Sequence, residues 1–107
     1  MEARFVHDGK AIDYTPTADM TAGTVVVLGD RVGVSIVDIA ANVLGALQVV
    51  GVFDFEKDNT VIPLYGKVYW NATAKKATLT ATGNTLLGIA LDDTIAADSI
   101  VRVRLNS

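Results

Sequence analysis

Hydrophobic positions in this chain fall in short runs rich in Val, Ile, Thr, Tyr and Phe, broken about every eight to fifteen residues by Gly, Pro, Asn or Asp. Such side chains suit a pleated, half-buried surface, and the spacing predicts a sandwich or barrel of short antiparallel strands. Residues 10–14 read as a first strand, stopped by Pro16, which cannot donate to a ladder. Residues 24–28 and 32–36 flank Gly29-Asp30-Arg31, a hairpin in which glycine can take the positive φ of a tight turn. Residues 38–45 are the one place where a helical turn fits, with Asp38 as N-cap and Gly45 as stop, although the segment is short enough to be loop.

Alternation returns over 46–55, where Leu47, Val49, Phe53 and Phe55 share one face and Gln48, Val50, Val52 and Asp54 the other. Glu56-Lys57-Asp58-Asn59 then reads as a polar turn before Val61-Ile62, and Pro63 with Gly66 breaks the chain again. In the next strand Val68 and Trp70 point one way, with Lys67, Tyr69 and Asn71 opposite, so Trp70 is the expected large core anchor. Residues 73–77 turn the chain, and 78–80, 86–91 and 100–105 supply further strands. In the last of these Val101, Val103 and Leu105 face inward if Arg102 and Arg104 face outward. The expectation is an all-β single domain over residues 1–107, with at most one short helical turn.

At 107 residues the chain is long enough to bury roughly 65% of its unfolded surface around one core. It has no cysteine, so neither disulfides nor thiolate metal sites are available. The first residues lack the basic start and apolar stretch of a secretory signal. The longest uncharged run, 39–53, holds Asn42 and Gln48 and is too short and polar to span a bilayer, so no membrane partner is expected. Hydrophobic residues make up 50% of the chain, charged ones 20%, and mean hydropathy is +0.38. Either alanine and valine in a tight β core raise that index, or part of the surface is buried in an oligomer or on a larger assembly. A net charge of −3 without a basic cluster larger than Lys75-Lys76 argues against nucleic acid as a partner.

Catalytic chemistry is poorly supplied: one histidine, His7, near the start, and serines 35, 99 and 107 outside any Gly-x-Ser-x-Gly context. A RecA-type recombinase would need Gly-x4-Gly-Lys-Ser/Thr to cradle phosphate. Gly9-Lys10 and Gly66-Lys67 lack the upstream glycine, and Ala11 or Val68 follows where a hydroxyl is needed. Asp54-x-Glu56-x-Asp58 places carboxylates at alternate positions, but without the glycine and distal glutamate of a calcium loop. No catalytic, cofactor or metal residue is therefore assigned. Tyr69 and Trp70 fall on opposite faces, which suits core packing better than a stacking platform for bases or sugars. Arg102 and Arg104 share a face, either a solvated strand or a contact with acids of a neighbouring subunit, for which Asp92, Asp93 and Asp98 are candidates.

Three closely spaced C-terminal blocks, Gly66-Lys67-Val68-Tyr69-Trp70-Asn71-Ala72-Thr73, Gly83-Asn84-Thr85-Leu86-Leu87-Gly88-Ile89-Ala90 and Ile100-Val101-Arg102-Val103-Arg104-Leu105-Asn106, carry a family signal. With Phe5-Val6-His7-Asp8-Gly9, Tyr14-Thr15-Pro16, Ala22-Gly23-Thr24-Val25-Val26-Val27, Gly33-Val34, Gly45-Ala46-Leu47 and Gly51-Val52-Phe53 in front of them, the order and spacing resemble the bacteriophage capsid cement, or head decoration, proteins. That resemblance implies a non-enzymatic β-barrel or tulip-like body without cofactors. It implies a phage or prophage protein, made in the bacterial cytoplasm, that docks on the outer surface of the virion head and staples major capsid protein subunits as a homotrimer. Residues 1–8 would form an arm that orders on the shell, with Phe5 as apolar anchor. The alternative is a small β module displaying loops to host-surface glycans or proteins, which would need exposed aromatics in one patch.

Overall fold

The computed structural model describes residues 1–106 and is all-β, without a helix. Nine strands form two antiparallel sheets. The first contains β1 (Ala11–Tyr14), β2 (Val25–Leu28), β3 (Arg31–Val34) and β4 (Gly45–Gln48), ordered β1-β4-β3-β2. The second contains β5 (Gly51–Glu56), β6 (Lys67–Asn71), β7 (Lys76–Thr78), β8 (Thr85–Ala90) and β9 (Ile100–Leu105), ordered β5-β9-β8-β6-β7. The two form a sandwich in which β3 packs against β8. The second sheet also curls on itself. A parallel bridge between Lys57 and Ala77, with the Asp58 N–H donating to the Ala77 carbonyl at 3.0 Å, brings the end of β5 to β7.

Alternation sets the core. Val101, Val103 and Leu105 of β9 face inward and pack with Val68, Trp70, Leu87 and Phe55, while Val32 and Val34 close the core from the first sheet. Trp70, 8% exposed, is the anchor that the pattern predicts, with its ring tilted against Phe55 at a centroid distance of 6.0 Å. Phe53 continues the row at 6.2 Å from Phe55, a spacing at which each aromatic pair adds about 1 kcal/mol to its burial.

The β2–β3 hairpin forms around Gly29, whose φ of 63° meets the demand of a two-residue turn; β3 ends at Val34 rather than Ile36. Other expectations need correction. The run 46–55 is not one strand: it divides into β4 and β5, which serve different sheets, and Gly51 makes the corner at φ 124°, a conformation that residues with a side chain rarely adopt. The 78–80 strand lies earlier, at Lys76–Thr78, because Lys75 takes a positive φ of 56° and its N–H donates to the Asn71 carbonyl at 2.7 Å, finishing the turn sooner. The helical turn expected within 38–45 is replaced by a loop, described below.

Gly88 sits where β8 meets β9, opposite a register shift between Val68 and Tyr69. A side chain there would collide with the Arg104 carbonyl, a backbone atom that cannot swing aside. Gly88→Ala is therefore expected to destabilise the fold by about 3 kcal/mol, lowering the midpoint of a thermal melt followed by circular dichroism by roughly 10–20 °C.

Candidate interaction surface

Two loops, 15–24 and 35–44, are tied to each other rather than to solvent. Met20 and Ile39 exchange backbone hydrogen bonds of 2.8 Å in both directions, and the Gly23 N–H donates to the Ser35 carbonyl at 2.6 Å. Asp38 Oδ1 accepts from the Ala22 N–H at 2.8 Å, and Asp19 Oδ1 accepts from the Ala41 N–H at 2.9 Å. Asn42 adopts a left-handed φ of 62° and donates its N–H to the Pro16 carbonyl at 2.8 Å. Asp38 thus caps the neighbouring loop instead of a helix, because long-range partners satisfy the backbone groups that a helical turn would have used. The pinned pair holds Ile36, Val37, Val43 and Leu44 more than half exposed. Exposed apolar side chains on fixed loops make this surface a candidate interaction face.

The nine residues before Lys10 belong to no strand, and Phe5 in their midst is 79% exposed. Arg102 and Arg104 project from the outward face of β9. Asp54 lies directly across the β5–β9 ladder from Arg102 and accepts two hydrogen bonds, from Nε at 2.9 Å and Nη2 at 3.2 Å. Asp92 approaches the same residue through its backbone, its Oδ2 accepting from the Arg102 N–H at 3.1 Å. Arg104 stands opposite Val52 and Ile89. Alternation gave only that both residues face outward; their partnership rests on the pairing of β5 with β9, which the structure supplies.

Lys57 is the residue that pattern reading missed. Placed in a polar turn, it is instead 4% exposed, and its ammonium donates to the carbonyls of Asp58 at 2.8 Å, Ile95 at 3.1 Å and Asp98 at 3.2 Å. All three ammonium hydrogens are thereby used, which permits burial of the charge. The signal was its period: Phe53, Phe55 and Lys57 continue one inward face.

The acidic triplet does not converge. Asp54 is held by Arg102, and Asp58 Oδ1 accepts from the Thr60 N–H at 3.0 Å. Among the described residues no three His, Cys, Asp or Glu side chains are grouped to hold a metal. Trp70 is buried and Tyr69 lies opposite it, so the flat aromatic platform of a sugar-binding face is not present at this strand.

A family model described as phage cement protein matches residues 6–105. The chain belongs to the phage cement protein family. No curated protein and no solved structure matches it. The family is structural and associated with the phage capsid, and the exposed aliphatic loops, buried tryptophan and carbonyl-caged lysine described above are features of this cement protein. Among the described residues no helix is long and apolar enough to cross a membrane.

Two expectations follow for stability. Lys57→Met keeps the apolar stem but orphans three carbonyls, and is expected to cost about 3 kcal/mol, read as a lower urea midpoint at unchanged slope. The second concerns acid. The hydrogen bond from Arg102, aided by its charge, holds the Asp54 carboxyl below the usual carboxylate value against slight desolvation. Burial pushes Asp58 up, but hydrogen bonds from Thr60 and Thr78 and the charge of Lys57 outweigh it, leaving Asp58 also lowered. Groups with depressed folded values stabilise above their unfolded value of about 3.9, and that contribution is lost as pH falls through the lower folded values. The urea midpoint is expected to hold from neutrality to about pH 5 and fall below about pH 4, less steeply in Asp58→Asn.

Proposed function

We propose that this cement protein docks on the outside of an assembled phage head, contacts the major capsid protein, and staples neighbouring subunits as a self-associated trimer, turning over no substrate. The observation that carries this reading is the family match over residues 6–105. Packed DNA pushes a head outward, and a clamp opposes that load by burying surface across the seams between capsomers. Buried interface needs apolar side chains and strand edges but no reactive group, and the cement protein offers Ile36, Val37, Val43 and Leu44 on pinned loops for that purpose. Residues 1–8 act as an arm that orders on assembly with Phe5 as its anchor, because an extended segment can add to a sheet edge through main-chain bonds. The Arg102–Arg104 ridge meets acidic groups of a neighbouring subunit, Asp92, Asp93 or Asp98. The Arg102 side chain remains 55% exposed while bound to Asp54 and can serve both.

Heads stripped of decoration and then reconstituted with the purified chain are expected to bind it and to retain DNA at temperatures where bare heads release it. Equal survival with and without the chain removes the stapling function. Leu44→Asp, an exposed position, is expected to leave the thermal melt of the isolated protein nearly unchanged while weakening head binding about tenfold or more.

A further inference from the structure

The sandwich is open along one side. Among the described residues strand β2 is an edge of the first sheet, paired with β3 alone, and β5 is an edge of the second up to the bridge between Lys57 and Ala77 at its end. Between them runs a groove of about 720 Å³, lined by Val25 and Val27 of β2, Phe53 and Phe55 of β5, and Trp70. Val27 pairs with Val32, a core residue, and so belongs to the inward face, yet it is 39% exposed. Phe53, paired with core Val103, is likewise only partly covered. Two inward-facing apolar residues are thus left uncovered beside a strand with one unpaired edge, a site suited to an added strand.

The chain itself carries a matching segment. Residues 3–7 read Ala-Arg-Phe-Val-His, lie outside every strand, and include Phe5 and the 80% exposed Val6. Alternation would send Phe5 into the groove with Ala3 and His7, leaving Arg4 and Val6 on the outer face of the first sheet. The arm of the same molecule cannot take this place. It joins the body at β1, the far edge of the sheet, so a strand laid beyond β2 lies four strand spacings away, roughly 19 Å. From His7 to Ala11 there are four chain steps, which reach at most roughly 14 Å when fully extended. Gly9, at φ 69° and with its N–H donating to His7 Nδ1 at 2.9 Å, turns the chain and shortens that reach further.

We propose that the groove between β2 and β5 receives residues 3–7 of a second copy of this chain, added along β2 with Phe5 beside Phe53 and Trp70. The exchange is head-to-tail, so closing it generates a ring of copies. It rests on the cement reading, in which copies gather on one lattice, and it names the partner of the arm.

Because the chain has no cysteine, single-thiol variants report contact cleanly. Ala3→Cys and Val27→Cys proteins, mixed and treated with a short bis-maleimide, are expected to give a mixed dimer on decorated heads and in concentrated solution, at least about tenfold above either variant alone. Adding Phe5→Ser to the Ala3→Cys chain lowers that yield about tenfold. Ala72→Cys, also on the groove and exposed, replaces Val27→Cys if the latter melts early. No mixed dimer in either setting, or, in a chain carrying both Ala3→Cys and Val27→Cys, cross-linking confined within one chain, overturns the exchange. Wild-type chain that binds and stabilises heads while no mixed dimer forms defeats the exchange alone; wild-type chain that ignores heads defeats the cement reading, and a mixed dimer in solution then still upholds the exchange.

Discussion

Asn106 is the joint on which the two sheets depend. Its carboxamide donates to the carbonyl of Val32 in the first sheet at 3.0 Å and to that of Val49, in the link between β4 and β5, at 2.6 Å. Its own N–H donates to the Leu87 carbonyl in β8 at 2.6 Å. One residue thus satisfies three backbone acceptors from three parts of the fold. It does so in a left-handed conformation, φ 55°, that asparagine tolerates better than most side chains. The arrangement has a cost, since Oδ1 is buried with no partner among the described residues. That penalty is accepted at the point where the chain crosses between sheets and backbone groups would otherwise be orphaned.

With the sheets joined there, polar groups are used to hold shape. Lys57 spends its charge on carbonyls at the end of the second sheet, Asp19 and Asp38 tie one loop to another, and Asp54 with Arg102 lies across a ladder. Apolar groups, by contrast, are left over: the pinned loops, the arm and the open side of the sandwich all present aliphatic or aromatic surface. A tight core and this exposed apolar surface together account for the high mean hydropathy.

Much of the fold was legible because alternation has period two wherever one face is buried. Trp70, Val101, Val103 and Leu105 were readable as core from their neighbours alone, and the Gly29 hairpin from its turn chemistry. Residues 38–45 were not, since Asp38 and Gly45 are the same residues that would bound a helix, and only the loop opposite, supplying Met20 and Ala22, decided against one. The candidate interaction surface was legible only in part. Phe5 stood out as an apolar residue in a strandless arm, but the exposure of Ile36, Val37, Val43 and Leu44 depends on how their loop is pinned.

The sequence by itself determined the all-β class, the inward faces of most strands, the absence of thiol chemistry and membership of a family. Those properties follow from local side-chain period and residue type. Tertiary structure alone decided that 46–55 serves two sheets, that Lys57 is caged by carbonyls, and that Val27 and Phe53 line an open groove. Each of these depends on which distant backbone group or strand edge comes within a few ångströms, and no pattern along a chain encodes that distance.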